Sequence, residues 1–417
     1  MNNSKKLIFI VALAGFVAVL GACAKLLKNN PTLNAIKYDC GGPDDGRFTI
    51  GANNIRLMYG FPIPASTSHF VVKVGDKFAS NYKGLGSTVE YICTTKKMKV
   101  VGNKKFSEMA FSFQNIKIIQ RLIPVNDDLA EVDSLTPARY YRIEYEFENN
   151  KMQGAEVGLH LLIDNMIGDN DAPKLDADGK KIGVETRFEG ANVPKQVFLY
   201  RTEGDLSDHT AEILTDKVAA TKPDELAIGR WPYFHNVIWD YTPSGGTYGD
   251  AAVLLKWQPK NVAAGAKKKV AIYYGMARKM DKQKKFIKET VGMQTVFTEK
   301  ENTNFLVDTV YFDNANATLS KQFTDNLDQR LAGRNLQKVV GIIIEGHTDA
   351  KGTEDANVEY SRKRAKVVKD YLTKKGVAEF KIVPKGFGEM HANQEENSQK
   401  NGNAKDRNAV LMMYYKE

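Results

Sequence analysis

Two patterns of hydrophobic and polar positions divide this chain. From about residue 47 to residue 276, apolar and polar positions exchange every second residue, as on a sheet with one covered face. Ile143, Tyr145 and Phe147 alternate with Glu144 and Glu146, the mark of a half-buried strand. Similar runs fall at residues 70–74, 111–123, 157–163, 196–200, 251–257 and 269–274, separated by Gly, Asn and Asp clusters. No long helical period and no internal repeat interrupts them, so the pattern predicts a large antiparallel β-sandwich. After Asn304 the period changes. Residues 307–312 read as a strand, and Leu319, Phe323, Leu327 and Leu331 recur every four residues, as on an amphipathic helix. Val339-Val340-Gly341-Ile342-Ile343-Ile344 reads as a fully buried strand. Ala365, Val368 and Leu372 mark a second helix that Gly376 ends, and residues 380–386 and 409–415 supply two more strands. The predicted fold is therefore multidomain: an N-terminal all-β sandwich followed by a C-terminal α+β domain of order β-α-β-α-β-β, with helices on one face.

The N-terminus follows neither pattern. Lys5-Lys6 precede an apolar run over residues 7–20, which is short for a bilayer span and of the right length for a secretory signal. Leu20-Gly21-Ala22-Cys23 resembles the lipobox of bacterial lipoproteins, in which the cysteine thiol receives a diacylglycerol and the cysteine becomes the new N-terminus after cleavage. Ala22-Cys23-Ala24 also fits an ordinary signal-peptidase site, and an uncut anchor is a third reading. The resemblance implies acylated Cys23 in outer-membrane lipid, with the chain facing the periplasm. In such an oxidising compartment Cys40 and Cys93 form a disulfide or remain two buried thiols. The expected divisions are a signal peptide (1–22), a tether (23–45), the sandwich (46–276), a basic linker (277–304) and the α+β domain (305–417).

Composition is that of an ordinary globular protein: 417 residues, 42% hydrophobic and 26% charged, with a net charge of +9. Disorder, collagen and a multi-span membrane protein are excluded, and CxxC, HExxH, Walker A and GxSxG patterns are missing, so neither a cofactor nor a metal is expected. Positive charge gathers between Lys267 and Lys288, where nine basic residues face one acid, Asp281. That stretch is either a solvated last strand and linker or a contact for anionic glycan or lipid headgroups. A secreted chain rarely meets nucleic acid, and none is expected as a partner.

The informative chemistry is Gly346-His347-Thr348-Asp349-Ala350-Lys351-Gly352-Thr353, followed by Asn357, Ser361, Arg364-Ala365 and Leu372. An acid at a strand end and an arginine on the next helix form a pair matched to a zwitterion, since a guanidinium clamps a carboxylate and a carboxylate accepts from an ammonium. These residues resemble the OmpA-like peptidoglycan-binding domain. So do Val310-Tyr311-Phe312-Asp313 with Ala317-x-Leu319, Lys385-Gly386-Phe387-Gly388-Glu389, and Asp406-Arg407. The resemblance covers roughly residues 300–417 and implies a ligand, the diaminopimelate of the peptidoglycan stem peptide. Carried over by position, Asp349 takes its ammonium and Arg364 its carboxylate. Asn357 holds the loop and donates a hydrogen bond, Arg407 adds a second positive charge, and Phe312, Asp313 and Thr348 line the cleft. The sequence departs from the family pattern at Ala315, Asn316 and Asn408.

Other features have plainer readings. His347 lacks a second metal ligand at suitable spacing and reads as a strand-end residue packed beside the cleft. Trp231, Trp239 and Trp257, with Tyr233, Phe234, Tyr241 and Tyr248, read as core rather than as a sugar-stacking surface. The acid-rich run over residues 164–179 lacks the spacing of a calcium loop and reads as solvated turns. A non-enzymatic, lipid-anchored wall-binding protein is the expectation. The alternatives are an envelope glycan-binding protein or glycan-active enzyme, or an adaptor of a secretion or motility complex whose partner is an envelope protein held by the sandwich. In each of these the C-terminal domain serves only as wall anchor.

Overall fold

The computed structural model describes residues 46–415, apart from residues 64–66, 83–84, 86–89, 92, 102–103, 134–135, 298–303, 314–315, 334 and 394–399. Cys23, Cys40 and Ala315 lie outside the described residues, and Cys93 opens the strand Cys93–Val101. Among the described residues no helix is long and apolar enough to cross a membrane.

The alternating segments form two large sheets. One has seven strands, in the order Thr186–Glu189, Glu225–Arg230, Ala251–Val262, Ala155–Asp164, His69–Val74, Lys77–Ser80 and Glu90–Tyr91. The other has nine, in the order Lys180–Ile182, Lys174–Ala177, Gln196–Tyr200, Thr210–Leu214, Lys267–Met276, Tyr140–Asn149, Ile116–Val125, Lys104–Phe113 and Cys93–Val101. One core takes Phe70, Val72, Leu159, Leu161, Val253 and Leu255 from the first sheet and Ile118, Ile143, Tyr145, Ile213 and Ile272 from the second. Alternate residues of the central strands of both sheets point into this layer, which makes the N-terminal region a β-sandwich.

Three details differ from the sequence pattern. The run at 111–123 is two strands of a hairpin, turned at Gln114 and Asn115, whose φ angles of 50° and 59° suit a two-residue turn between right-twisted strands. Glu144 and Glu146, placed on the solvent face by alternation, are each only 5% exposed. Arg121 covers them, at 2.8 Å from Glu144 and 3.3 Å from Glu146, while also meeting Glu108 at 2.7 Å. Lys269 closes the ladder at 3.2 Å from Glu144 and 3.3 Å from Glu146. Finally, within the stretch read as a linker, Met293–Phe297 pairs antiparallel with Phe48–Ala52, the first strand among the described residues.

The C-terminal region builds a four-stranded sheet in the order Asn304–Tyr311, Asn408–Tyr415, Val339–Gly346 and Ile382–Gly386. The helices Lys321–Leu331 and Glu354–Lys374 start at Ser320 and Thr353, whose side chains accept from the amides of Phe323 and Ala356. Ile342, Ile344, Leu411 and Met413 face these helices and pack on Leu327, Val368 and Leu372.

The opposite face of this sheet is also covered. Ile343 and Val383 pack with Tyr59, Ile63 and Met166 of the sandwich region, with Met412 and Tyr414 at the edge. Gly341 is where this contact is tightest: a Cβ there would lie 2.3 Å from Ile63 Cγ1. A second apolar cluster joins Phe387 and Met390 to Trp231, Phe234 and Leu254. Arg56, 4% exposed, donates across the junction to the carbonyls of Ile382 at 2.9 Å and Phe380 at 3.4 Å. The two regions thus share a buried interface that both apolar contacts and hydrogen bonds cross.

At its centre is Lys385, whose side chain is fully buried. Its Nζ lies 2.7 Å from Asp164, 3.4 Å from Asp250 and 3.9 Å from Asp171. The rings of Trp231 and Tyr59 flank it, with centroids at 4.2 Å and 4.3 Å. The acid-rich run therefore does not serve only as solvated turns: Asp164 and Asp171 are buried with Asp250 in a group that could hold a metal ion. The lysine ammonium occupies the position a cation would take.

Candidate functional site

The strand Val339–Gly346 ends where the chain leaves the sheet, and His347, Thr348 and Asp349 follow at the mouth between that strand and the Glu354–Lys374 helix. Thr348 donates its amide to the Gly388 carbonyl at 2.9 Å, and His347 donates to the Asn408 carbonyl at 2.8 Å. These bonds fix the strand end against the two neighbouring loops.

Asp349 is 4% exposed. Its Oδ2 accepts from Arg407 Nη1 at 2.6 Å and from the Asn403 amide at 3.1 Å. Gly402, at φ +78°, brings the loop this close, since a Cβ there would lie 2.6 Å from Asp349 Oδ2. Arg364 is 1% exposed and points at the same mouth from the helix. Its donors reach three carbonyls: His347 at 2.7 Å, Asn316 at 3.0 Å and Asp313 at 3.4 Å. The Phe312 ring lies beneath the guanidinium, 5.4 Å away. Burial and the neighbouring Arg407 lower the Arg364 pKa, and Asp349 raises it. The ion pair of the site is thus Asp349 with Arg407, while Arg364 is held by backbone.

Asn357 is buried and donates through Nδ2 to Glu389, joining the helix to the Gly386–Glu389 turn. Arg407 also donates to the Phe312 carbonyl at 3.4 Å, so the predicted residues Phe312, Thr348, Asp349, Asn357, Arg364 and Arg407 converge on one mouth. Asp313 is exposed at its rim and contributes its carbonyl. Glu389 and the Asn403 amide were not among the predicted contacts. Glu389 was visible as the last residue of Gly-Phe-Gly-Glu, whereas nothing in the sequence marks a backbone amide of an irregular loop.

His347 is 8% exposed, stacks on Phe387 at a centroid distance of 5.6 Å and meets the tilted ring of His391 at 5.3 Å. Burial, helped by His391, pushes its pKa down to about 4, so it is a neutral packing residue at physiological pH. The three tryptophans are buried at 2%, 6% and 3% exposure, as a core reading predicts.

A β-rich sandwich followed by an α+β unit with an Asp–Arg mouth defines the class. Residues 311–408 match the model of the OmpA family, so the C-terminal part of the chain carries an OmpA family domain. Among curated relatives, the peptidoglycan-associated lipoprotein of Buchnera aphidicola subsp. Baizongia pistaciae is 37% identical over 100 residues, covering 22% of this chain and 56% of the relative. That of Haemophilus influenzae is 33% identical over 81 residues, covering 19% of this chain and 53% of the relative. The chain thus spans about half the length of the curated relatives it matches. Among solved structures, the peptidoglycan-associated lipoprotein from Burkholderia pseudomallei has a TM-score of 0.22 and 26% identity, covering 25% of this chain and 88% of that one. A galactose mutarotase related enzyme from Lactobacillus acidophilus has a TM-score of 0.25 and 7% identity, covering 45% of this chain and 72% of that one.

Proposed function

We propose that this protein binds peptidoglycan non-covalently through the diaminopimelate of the stem peptide, and that acylated Cys23 holds it in the outer membrane facing the periplasm. In this reading the C-terminal β-α-β-α-β-β unit ties the membrane, and the sandwich with it, to the wall. The observation that carries the proposal is the convergence of Asp349, Arg364 and Arg407 on one mouth within an OmpA family domain. The ligand's ammonium would take the Asp349 carboxylate now paired with Arg407, and its carboxylate would receive the guanidinium that this exchange frees, with Arg364 behind it. One ion pair is traded for two, without uncompensated charge. Asn357, held by Glu389, keeps the helix start and the turn in register around the ligand. Wall and membrane attachment on one chain raise the local concentration of each site at the other, so a modest cleft affinity suffices.

The test is co-sedimentation of the mature chain with diaminopimelate-containing sacculi, with free diaminopimelate as competitor. Asp349→Asn keeps the shape and removes the charge. Arg364→Lys keeps the charge and removes the fork. Wild type is expected to pellet and to be released by competitor, and the two variants, checked for folding by circular dichroism, to remain in solution. A folded wild type that stays in the supernatant overturns the proposal.

A further inference from the structure

The basic stretch splits in two in the fold. Lys267 and Lys269 lie on the Lys267–Met276 strand and are paired with Glu144, Glu146 and Glu148. Arg278 and Lys279 meet Asp127 and Glu289. Lys268, on the Lys267–Met276 strand, is half-buried, and the four lysines beyond Lys279, Lys282, Lys284, Lys285 and Lys288, are exposed and have no ion-pair partner among the described residues. The acid among them, Asp281, is occupied: its Oδ1 accepts from the amides of Gln283 at 2.9 Å and Lys285 at 2.8 Å. Backbone bonds from Asp281 to Lys285 at 2.9 Å and from Lys284 to Asp281 at 3.0 Å close the turn, with Lys284 at φ 60°. Met280 and Phe286 form a bridge beneath it.

This ordered tip also exposes Phe286 at 60% and Ile287 at 41%, the only adjacent pair of exposed large hydrophobics among the described residues. Arg278 lies over the Phe286 ring at 5.4 Å, holding the ring in place from its basic side. Neither a solvated turn nor a protein core accounts for an aromatic and an aliphatic side chain set between four unpaired lysines. An anionic bilayer does: lysine ammoniums meet lipid phosphates while a ring and a branched chain enter the headgroup boundary.

We propose that the tip formed by residues 280–288 docks on the surface of a bilayer containing anionic phospholipid, a second membrane contact independent of acylation. The proposal rests on the envelope placement of the preceding reading, which puts a membrane within reach. The test uses the mature chain from residue 23 with Cys23→Ser, so that no acyl chain is present. Flotation is measured with vesicles of phosphatidylcholine alone and with added phosphatidylglycerol, and sacculus binding is measured in parallel so that failure of either contact is seen separately. The protein is expected to float only with the anionic vesicles, and added salt to release it. Each Lys→Gln change at 282, 284, 285 or 288 is expected to weaken partition about five-fold. Phe286→Ser with Ile287→Ser should reduce it with the charge unchanged. No flotation, flotation that these variants leave intact, or equal binding to uncharged vesicles overturns the proposal. So does displacement of the protein by nucleic acid at equal phosphate concentration, which would mark a generic polyanion site.

Discussion

Replacing Lys385 by Met probes the interface on which the relation between the two regions depends. The ammonium is wholly buried, 2.7 Å from an equally buried Asp164 carboxylate. At an effective dielectric constant of about 20 that pair alone is worth about 6 kcal/mol of Coulomb attraction, much of it offset by desolvation. Removing one member keeps the desolvation cost and loses the attraction, so Lys385→Met should lower unfolding free energy by about 3–5 kcal/mol at neutral pH. The pH dependence gives a second handle. Burial raises the Asp164 pKa to about 6, with Lys385 pulling down and Asp171 pushing up. A carboxylate whose folded pKa lies above its unfolded value near 3.8 makes the folded form less stable as pH rises through that interval. Without the lysine this pKa climbs further, so the deficit of the variant should be largest near pH 7 and shrink toward pH 4. Adding Asp164→Asn removes an uncompensated carboxylate and should recover part of the loss. Urea denaturation of the four proteins, at pH 7 and pH 4.5, measures all of this. A Lys385→Met protein within 1 kcal/mol of wild type, or a double variant whose loss equals the sum of the single losses, would refute the cage as an electrostatic unit.

Three further predictions use the same denaturation assay. Gly341→Ala forces a Cβ to 2.3 Å from Ile63, which is fully buried, and should cost about 1–3 kcal/mol by overpacking the interface. For Glu146, burial alone would raise the pKa, but Arg121 and Lys269 outweigh it and hold the carboxyl below its ordinary value. Its contribution is therefore present above about pH 4.5 and fades as pH falls through the folded pKa, and Arg121→Met should flatten that part of the acid limb. His347, held near 4 against an ordinary 6.5, takes up its proton more readily when unfolded, so stability rises with pH between those values. His347→Phe should flatten that rise, and a side-chain titration by NMR that placed His347 near 6.5 would contradict it.

Local period and local chemistry were legible in the sequence where contacts are close along the chain or follow a repeating face. Ile143, Tyr145 and Phe147 enter the sandwich core as alternation requires, and Leu327, Val368 and Leu372 pack on the sheet as helical spacing requires. The mouth residues were legible through the resemblance of their motifs to the OmpA-like domain, with the strand-end Asp349 and the helix Arg364 also readable as a pair suited to a zwitterion. The hairpin at Gln114-Asn115 was missed because no glycine stands in the turn and Gln114 is not a usual left-handed residue, so Asn115 alone carried the signal. Glu144 and Glu146 were misplaced because period two reports which side of a strand is polar, not whether ion pairs close over that side. Lys385 was read as one residue of a turn sequence. Its partners at 164, 171 and 250 lie more than a hundred residues away, and no periodicity connects them.

That distance matters for how the protein is used. A wall-binding unit joined by a flexible basic linker would let the sandwich swing freely, and its position relative to the wall would be set by chain entropy. Here the sheet of the C-terminal unit is covered by helices on one side and by Tyr59, Ile63 and Met166 on the other, with Arg56 and Lys385 tying backbone and charge across the junction. Separating the regions would expose Lys385, three carboxylates and both apolar clusters at once, a change comparable with unfolding rather than with a hinge motion. Arg230 of the sandwich also meets Asp355 at 3.2 Å and Glu354 at 3.5 Å, on the first turn of the helix that carries Asn357 and Arg364. Loosening the interface therefore frees the start of that helix, and a ligand that needs Asn357 and Arg364 in register would bind less well. On the proposed function, wall binding depends on the interface through that helix, and Lys385→Met is expected to weaken sacculus binding even at temperatures where the protein remains folded. Unchanged binding by that variant would separate the two and leave the interface a structural device only.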